Sequence, residues 1–207
     1  MYEEGVEQVN ENLESGVLCL EFANTSEWHA SAHPVESLNS YTDLVGWGRR
    51  VELLDQAEVQ RLQLKASKDA EAANAILQEA IHLRDTIYRI FEKITNQQAP
   101  ASEDLDSLNA MLAKALPHLR VIRTGDGFRW TWSITDEALN RLFWAVTCST
   151  ADLLTSERLA RVKQCEDDRG CGFLFLDLSK NRSRRWCSME SCGNRAKVRR
   201  YRKRAQT

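Results

Sequence analysis

Residues 165–204, CEDDRGCGFLFLDLSKNRSRRWCSMESCGNRAKVRRYRKR, hold four of the six cysteines of the 207-residue chain. They fall in two pairs: Cys165 and Cys171 with five residues between them, Cys187 and Cys192 with four, and fifteen residues separating the pairs. Paired thiolates joined by a loop of that length can close a tetrahedral zinc shell, each short pair wrapping one side of the ion. The spacing inside each pair exceeds the commonest two-residue knuckle, so the surrounding charge adds the deciding weight.

From Ser156 onward fifteen Lys or Arg face six Asp or Glu, a net charge of +9, which leaves −11 on the first 155 residues. The overall charge of −2 therefore conceals two opposed halves. Such an asymmetry reads as a basic module for nucleic acid attached to an acidic body. A basic run alone is usually just a solvated face. One that opens from a metal ligand favours nucleic acid.

Length allows one substantial domain and a small one, and the division is expected near residue 155: an acidic helical body over 1–155, a basic finger over 156–207. Hydrophobic residues make up 43 %, ordinary for a globular chain, and no apolar run approaches the roughly 20 residues that span a bilayer. The start, Met1-Tyr2-Glu3-Glu4, is acidic where a secretory signal would be basic. A cytoplasmic, nucleoid-associated protein is the expectation, and in a reducing compartment clustered cysteines are metal ligands sooner than disulfides.

In the body, residues 16–25 form a compact apolar run whose length suits either a buried strand or a short helix. Cys19 reads as core. His29 and His33 stand four apart, but Pro34 argues against the helix that would make them a metal pair. Asp55 and Glu58 make a capping-box start to a helix carrying Val59, Leu62 and Leu64. The strongest helical period runs over 69–95, broken only by Arg84, with His82 off the stripe. Ser102 is the expected cap of a helix with Leu105, Leu108, Met111, Leu112 and Leu116 inward. The period then changes: 119–124 and 128–133 around Gly125-Asp126-Gly127 read as a β-hairpin, and 136–154 as a last long helix carrying Cys148. The fold class is thus mainly α with one β-hairpin (α+β), followed by a treble-clef-like finger. No phosphate loop, His-Glu-x-x-His or nucleophile elbow is present in the body, so no enzyme is expected. Glu21, Asn24 and Trp28 are candidate ligand-pocket residues, although capping and packing account for them more simply.

In the finger, residues 159–163 read as a short strand before Cys165, and Gly170 allows the positive φ that lets backbone curl round an ion. Residues 173–176 form a strand, and 184–186 are expected to return beside it, carrying Cys187 to the metal. Asn194 is an N-cap for a helix from Arg195. Val198 and Tyr201 are expected to pack on the hairpin, leaving Arg195, Arg199, Arg202 and Lys203 outward. Together with Asn194, Lys197, Arg200 and the hairpin residues Arg182, Arg184 and Arg185, they are the candidate nucleic-acid contacts. Zinc is expected to supply the stability that so small a core cannot.

The tetrapeptide Cys192-Gly193-Asn194-Arg195 is identical to the motif that names the CGNR zinc-finger family, and residues 175–189 resemble that family's hairpin. Residues 18–25 and the order of elements behind them resemble the ABATE domain. The resemblance covers nearly the whole chain. It implies a bacterial-type, stress-related transcriptional regulator with Cys165, Cys171, Cys187 and Cys192 as zinc ligands.

The first expectation is accordingly a zinc-dependent regulator that binds double-stranded DNA through the finger helix, acts as a homodimer, and uses the body for sensing a small-molecule effector or for dimerisation. An RNA-binding or ribosome-associated factor and a protein-interaction adaptor are the alternatives. Competition between duplex DNA and structured RNA separates the first two.

Overall fold

The computed structural model describes residues 13–125, 127–133 and 138–204, with Lys203 and Arg204 described by backbone alone. The apolar run near the start is a helix, α1 (Leu18–Ala23), entered through Gly16 at φ +84° and an extended Val17. Its hydrogen bonds close within the segment, and Cys19, Leu20, Phe22 and Ala23 are all buried. Surrounded on most sides, a buried helix shows no alternation, which is why period alone left strand and helix level. The two-residue strands β1 (Ser26–Glu27) and β2 (Val35–Glu36) then pair antiparallel across the loop that holds Trp28 and His29.

Helices α2 (Tyr41–Arg50), α3 (Gln56–Lys68), α4 (Ala70–Thr95) and α5 (Ser102–Ala115) follow. The capping box of α3 forms as expected: Asp55 Oδ1 accepts from Glu58 N and Glu58 Oε2 from Asp55 N, both at 2.7 Å. Leu64 is exposed, because two residues after Leu62 a helix faces away from its core side. Arg84, the break in the α4 stripe, is buried yet satisfied, bonded to both oxygens of Glu36 at 2.6 and 2.8 Å and to Asp85 at 3.0 Å. For α5, Ala101 stands at the N-cap and Ser102 is already helical; Leu105 and Leu116 point to solvent while Leu108 is buried. The expected hairpin is β3 (Leu119–Thr124) with β4 (Gly127–Trp132), in the register Thr124↔Gly127 to Leu119↔Trp132. Asp126 of its turn lies outside the described residues. The next helix, α6 (Arg141–Thr155), begins later than the expected residue 136; residues 136 and 137 of that start lie outside the described residues.

After a 3-10 turn (Glu157–Arg161), β5 (Val162–Gln164) pairs antiparallel with β6 (Leu174–Leu176), and a π-helical turn (Met189–Gly193) leads into α7 (Asn194–Arg204). Mainly helical with small antiparallel hairpins and a C-terminal cysteine finger, the architecture is the expected one. Two local placements differ. Residues 184–186 are not the strand beside β6: that place is taken by β5. The hairpin also does not stand apart, since Val162, Leu174 and Leu176 belong to the same buried cluster as α1, α2, α4 and α6. Zinc is therefore not the finger's only source of cohesion.

Among the described residues no helix is long and apolar enough to cross a membrane.

Candidate metal centre

The four sulfurs of Cys165, Cys171, Cys187 and Cys192 lie within 4.8 Å of one another. Cys171 to Cys187 is 3.8 Å and Cys187 to Cys192 is 3.6 Å. A tetrahedron with zinc–sulfur bonds of about 2.3 Å has edges of about 3.8 Å, so one zinc ion fits with small adjustments. All six cysteines are free thiols.

Local backbone explains how the pairs converge. Gly170 has φ +87° and Gly172 φ +67°. The N–H groups of Asp167 and Phe173, each two residues past a cysteine, donate to the sulfurs of Cys165 and Cys171. Such bonds favour thiolates. Hydrogen bonds from Cys171 and Cys187 hold the Cys165 thiol down at about 2; in return that sulfur pushes Cys171 up to about 12 and Cys187 up as well. Four thiols this close do not all ionise unaided, whereas a divalent cation among them deprotonates its ligands outright. The donor set fits zinc.

Gly172 answers a second need. A Cβ there would come within 2.6 Å of the Tyr88 hydroxyl and 2.7 Å of Ala30 N, and at Gly170 within 2.7 Å of Ala30 O. The body loop presses directly on the knuckle. Tyr88 Oη donates to Gly172 O at 3.0 Å and accepts from Gln164 Nε2 at 2.7 Å, and its ring stacks on His29 at 3.5 Å. His33 is exposed, and no His joins a ligand cluster among the described residues.

The turn returning Cys187 is organised by Asp177, fully buried. Its carboxylate receives Lys163 Nζ at 2.7 Å, Ser179 N at 3.0 Å, Ser179 Oγ at 2.6 Å and Arg184 N at 3.0 Å. Asp167 does the same for the helix: it binds Arg169 at 2.7 Å and Arg199 at 3.2 Å. The knuckle residue Asp167 thereby fixes the azimuth of α7. Neither aspartate was a sequence candidate, although Asp177 is followed two residues later by Ser179, a spacing typical of an Asx turn.

This anchoring reverses the expected face of α7. Arg199 turns inward to Asp167 and Asp168, while Val198 and Tyr201 are 49 % and 76 % exposed. A buried carboxylate recruits a guanidinium more strongly than a surface hairpin recruits two apolar side chains. Arg184 is also committed, donating to the Trp186 and Cys187 carbonyls and lying over the Phe175 ring. Arg195 reaches the Cys192 sulfur at 3.6 Å and sits 5.5 Å above the Trp28 ring. Asn194 is the first residue of α7, its amide bonded to Glu190 O. Arg185 is exposed and pairs with the exposed Glu166. Arg182, Lys197, Arg200 and Arg202 are exposed and have no ion pair among the described residues. The side chain of Lys203 lies outside the description.

Of the candidate pocket residues, Asn24 is a clamp. Its Nδ2 donates to Leu174 O at 2.8 Å and its Oδ1 accepts from Leu174 N at 2.9 Å, completing a bonding edge of β6 from α1. Replacing Asn24 with Ala removes both bonds and leaves buried backbone groups unpaired, so about 2–3 kcal/mol of stability should be lost. Denaturant unfolding of Asn24→Ala checks this, and an unchanged midpoint refutes the clamp. Glu21 accepts from Ser15 N at 3.0 Å. Trp28, at φ +54°, lies under Arg169 and Arg195.

Comparison with known protein families gives two matches. Residues 16–157 match ABATE, described as "Putative stress-induced transcription regulator", and residues 161–205 match the CGNR zinc finger. Neither description is of an enzyme. No curated protein matches the chain.

Proposed function

We propose that this chain, which belongs to the ABATE family and ends in a CGNR zinc finger, is a zinc-dependent transcription regulator whose finger grips double-stranded DNA. The four cysteines hold the zinc, which has a structural role: an all-sulfur shell leaves no open position for substrate chemistry. The finger, from about residue 156, supplies DNA contact, and the preceding body supplies sensing or dimerisation.

The observation that carries the reading is the division of labour among the basic residues. Arg184, Arg195 and Arg199 are committed to partners within the molecule, whereas Lys197, Arg200 and Arg202 on α7, and Arg182 in the turn before Cys187, are exposed and without an ion pair among the described residues. A helix of this width enters the DNA major groove, where free cations bind phosphates and Arg bridges guanine O6 and N7. The pair Arg185–Glu166 is exposed and yields easily to a phosphate. One short helix covers few base pairs, so two copies on paired half-sites are expected.

The test is the salt dependence of affinity for duplex DNA. Lys197→Ala and Arg200→Ala should each reduce the slope of log K against log salt by about one. Tyr201→Ala should leave that slope unchanged. An affinity insensitive to salt, or structured RNA outcompeting duplex DNA, overturns the proposal. Truncation to the finger alone is unsuitable here, because it would strip Val162, Leu174 and Leu176 of the core that buries them.

A further inference from the structure

Body and finger together line a half-open cavity of about 420 Å³. Its body wall carries Glu14, Glu21, Glu27 and Trp28; its finger wall carries Arg195 and three of the clustered thiols. The volume is in the range that takes small molecules. The wall also holds Arg50, so two guanidiniums face three carboxylates and the thiolates, and the balance is negative. Glu14 and Glu27 make no ion pair among the described residues.

Trp28 shows what the cavity accepts. Its ring already has two guanidiniums over it, Arg169 at 4.9 Å and Arg195 at 5.5 Å. A left-handed backbone at φ +54° and the turn closed by Ser31 N on Trp28 O at 2.8 Å hold the indole there. Arg195 spans the two walls, with the Cys192 sulfur on one side and the indole on the other. An aromatic face rimmed by free carboxylates is a receptor for organic cations, and the chain itself supplies a competing occupant.

We propose that this cavity binds a small organic cation with a guanidinium or primary ammonium head, which replaces Arg195 on the Trp28 ring while Glu21 and Glu27 neutralise it. Arg195 lies at the root of α7, so the exchange frees the first turn of that helix from the body. The binding stands whether or not the finger contacts DNA, since its readout is binding alone.

The experiment is calorimetric titration of agmatine into the zinc-loaded full chain at low salt. Saturable one-to-one binding is expected, with no binding of the neutral N-butylurea. Trp28→Ala should weaken it about tenfold and Glu27→Gln about threefold. Glu27 is exposed, so its variant remains informative if Trp28→Ala fails to fold. Arg195→Ala should bind agmatine several-fold more tightly, because the one of the two ring-bound guanidiniums that lines the cavity is gone. No saturable binding, unchanged or weaker binding in Arg195→Ala, or preferential binding of an organic anion such as citrate would overturn the assignment.

Discussion

Removing the zinc should destabilise the body along with the finger. Cys187→Ser, or chelation of the wild-type protein, is expected to abolish stoichiometric zinc and lower Tm by at least about 15 °C, with one cooperative transition before and after. Structural zinc contributes apparent binding free energies of about 10–16 kcal/mol in small fingers, far above what most single substitutions remove. The shared core is what spreads the loss. Val162, Leu174 and Leu176 are buried against α1 and α4, and each burial is worth about 1.5–3 kcal/mol. Once the knuckle opens, β5 and β6 lose their anchor and those side chains loosen. Calorimetry with parallel metal analysis provides the check. Two separate transitions, or a body whose Tm ignores chelation, would show that the finger is an independent unit.

Asp177→Asn should give the next largest effect. The carboxylate is fully buried, and Lys163, with about a third of its side chain exposed, is its ion partner. Breaking a buried pair costs about 3–5 kcal/mol, reduced here to about 2–4 because water still reaches Lys163. That corresponds to a Tm loss of about 5–15 °C in a chain of this size. Burial by itself would raise the Asp177 carboxyl. The Lys163 ammonium, the Ser179 hydroxyl and amide, and the Arg184 amide outweigh it and hold it well below the usual carboxylate range. A depressed folded-state value contributes stability above the unfolded value, about 4, and loses it as pH falls toward the folded one. The deficit of Asp177→Asn should therefore be constant from pH 8 to about 5 and shrink below about 4. A deficit that grows on acidification would contradict the sign.

Much of the fold was legible because its signals are local. The Asp55–Glu58 box, the long stripe of α4, the Gly125–Gly127 turn and the positive φ at Gly170 each depend on residues within a few positions of one another. The four cysteines were legible for the same reason, since zinc chemistry restricts their spacing. Partner choice was not. Residues 173–176 are equally apolar whether their neighbour is 184–186 or 162–164; in the structure β5 takes one edge of β6, and Asn24, 150 positions from Leu174, takes the other. The facing of α7 failed similarly: its apolar residues suggested an inward side, but the outcome was set by a buried aspartate on another loop. Arg84 looked like an interruption of a core stripe because Glu36, its partner, lies far back in the chain.

The clamp between α1 and β6 bears on how the molecule is made. Asn24 leaves the ribosome well before Leu174, its hydrogen-bonding partner, is synthesised. Until that strand emerges, the apolar face of α1 has no complete cover. Late release of the cysteine segment and delivery of its metal should therefore govern when the nascent chain can close its core.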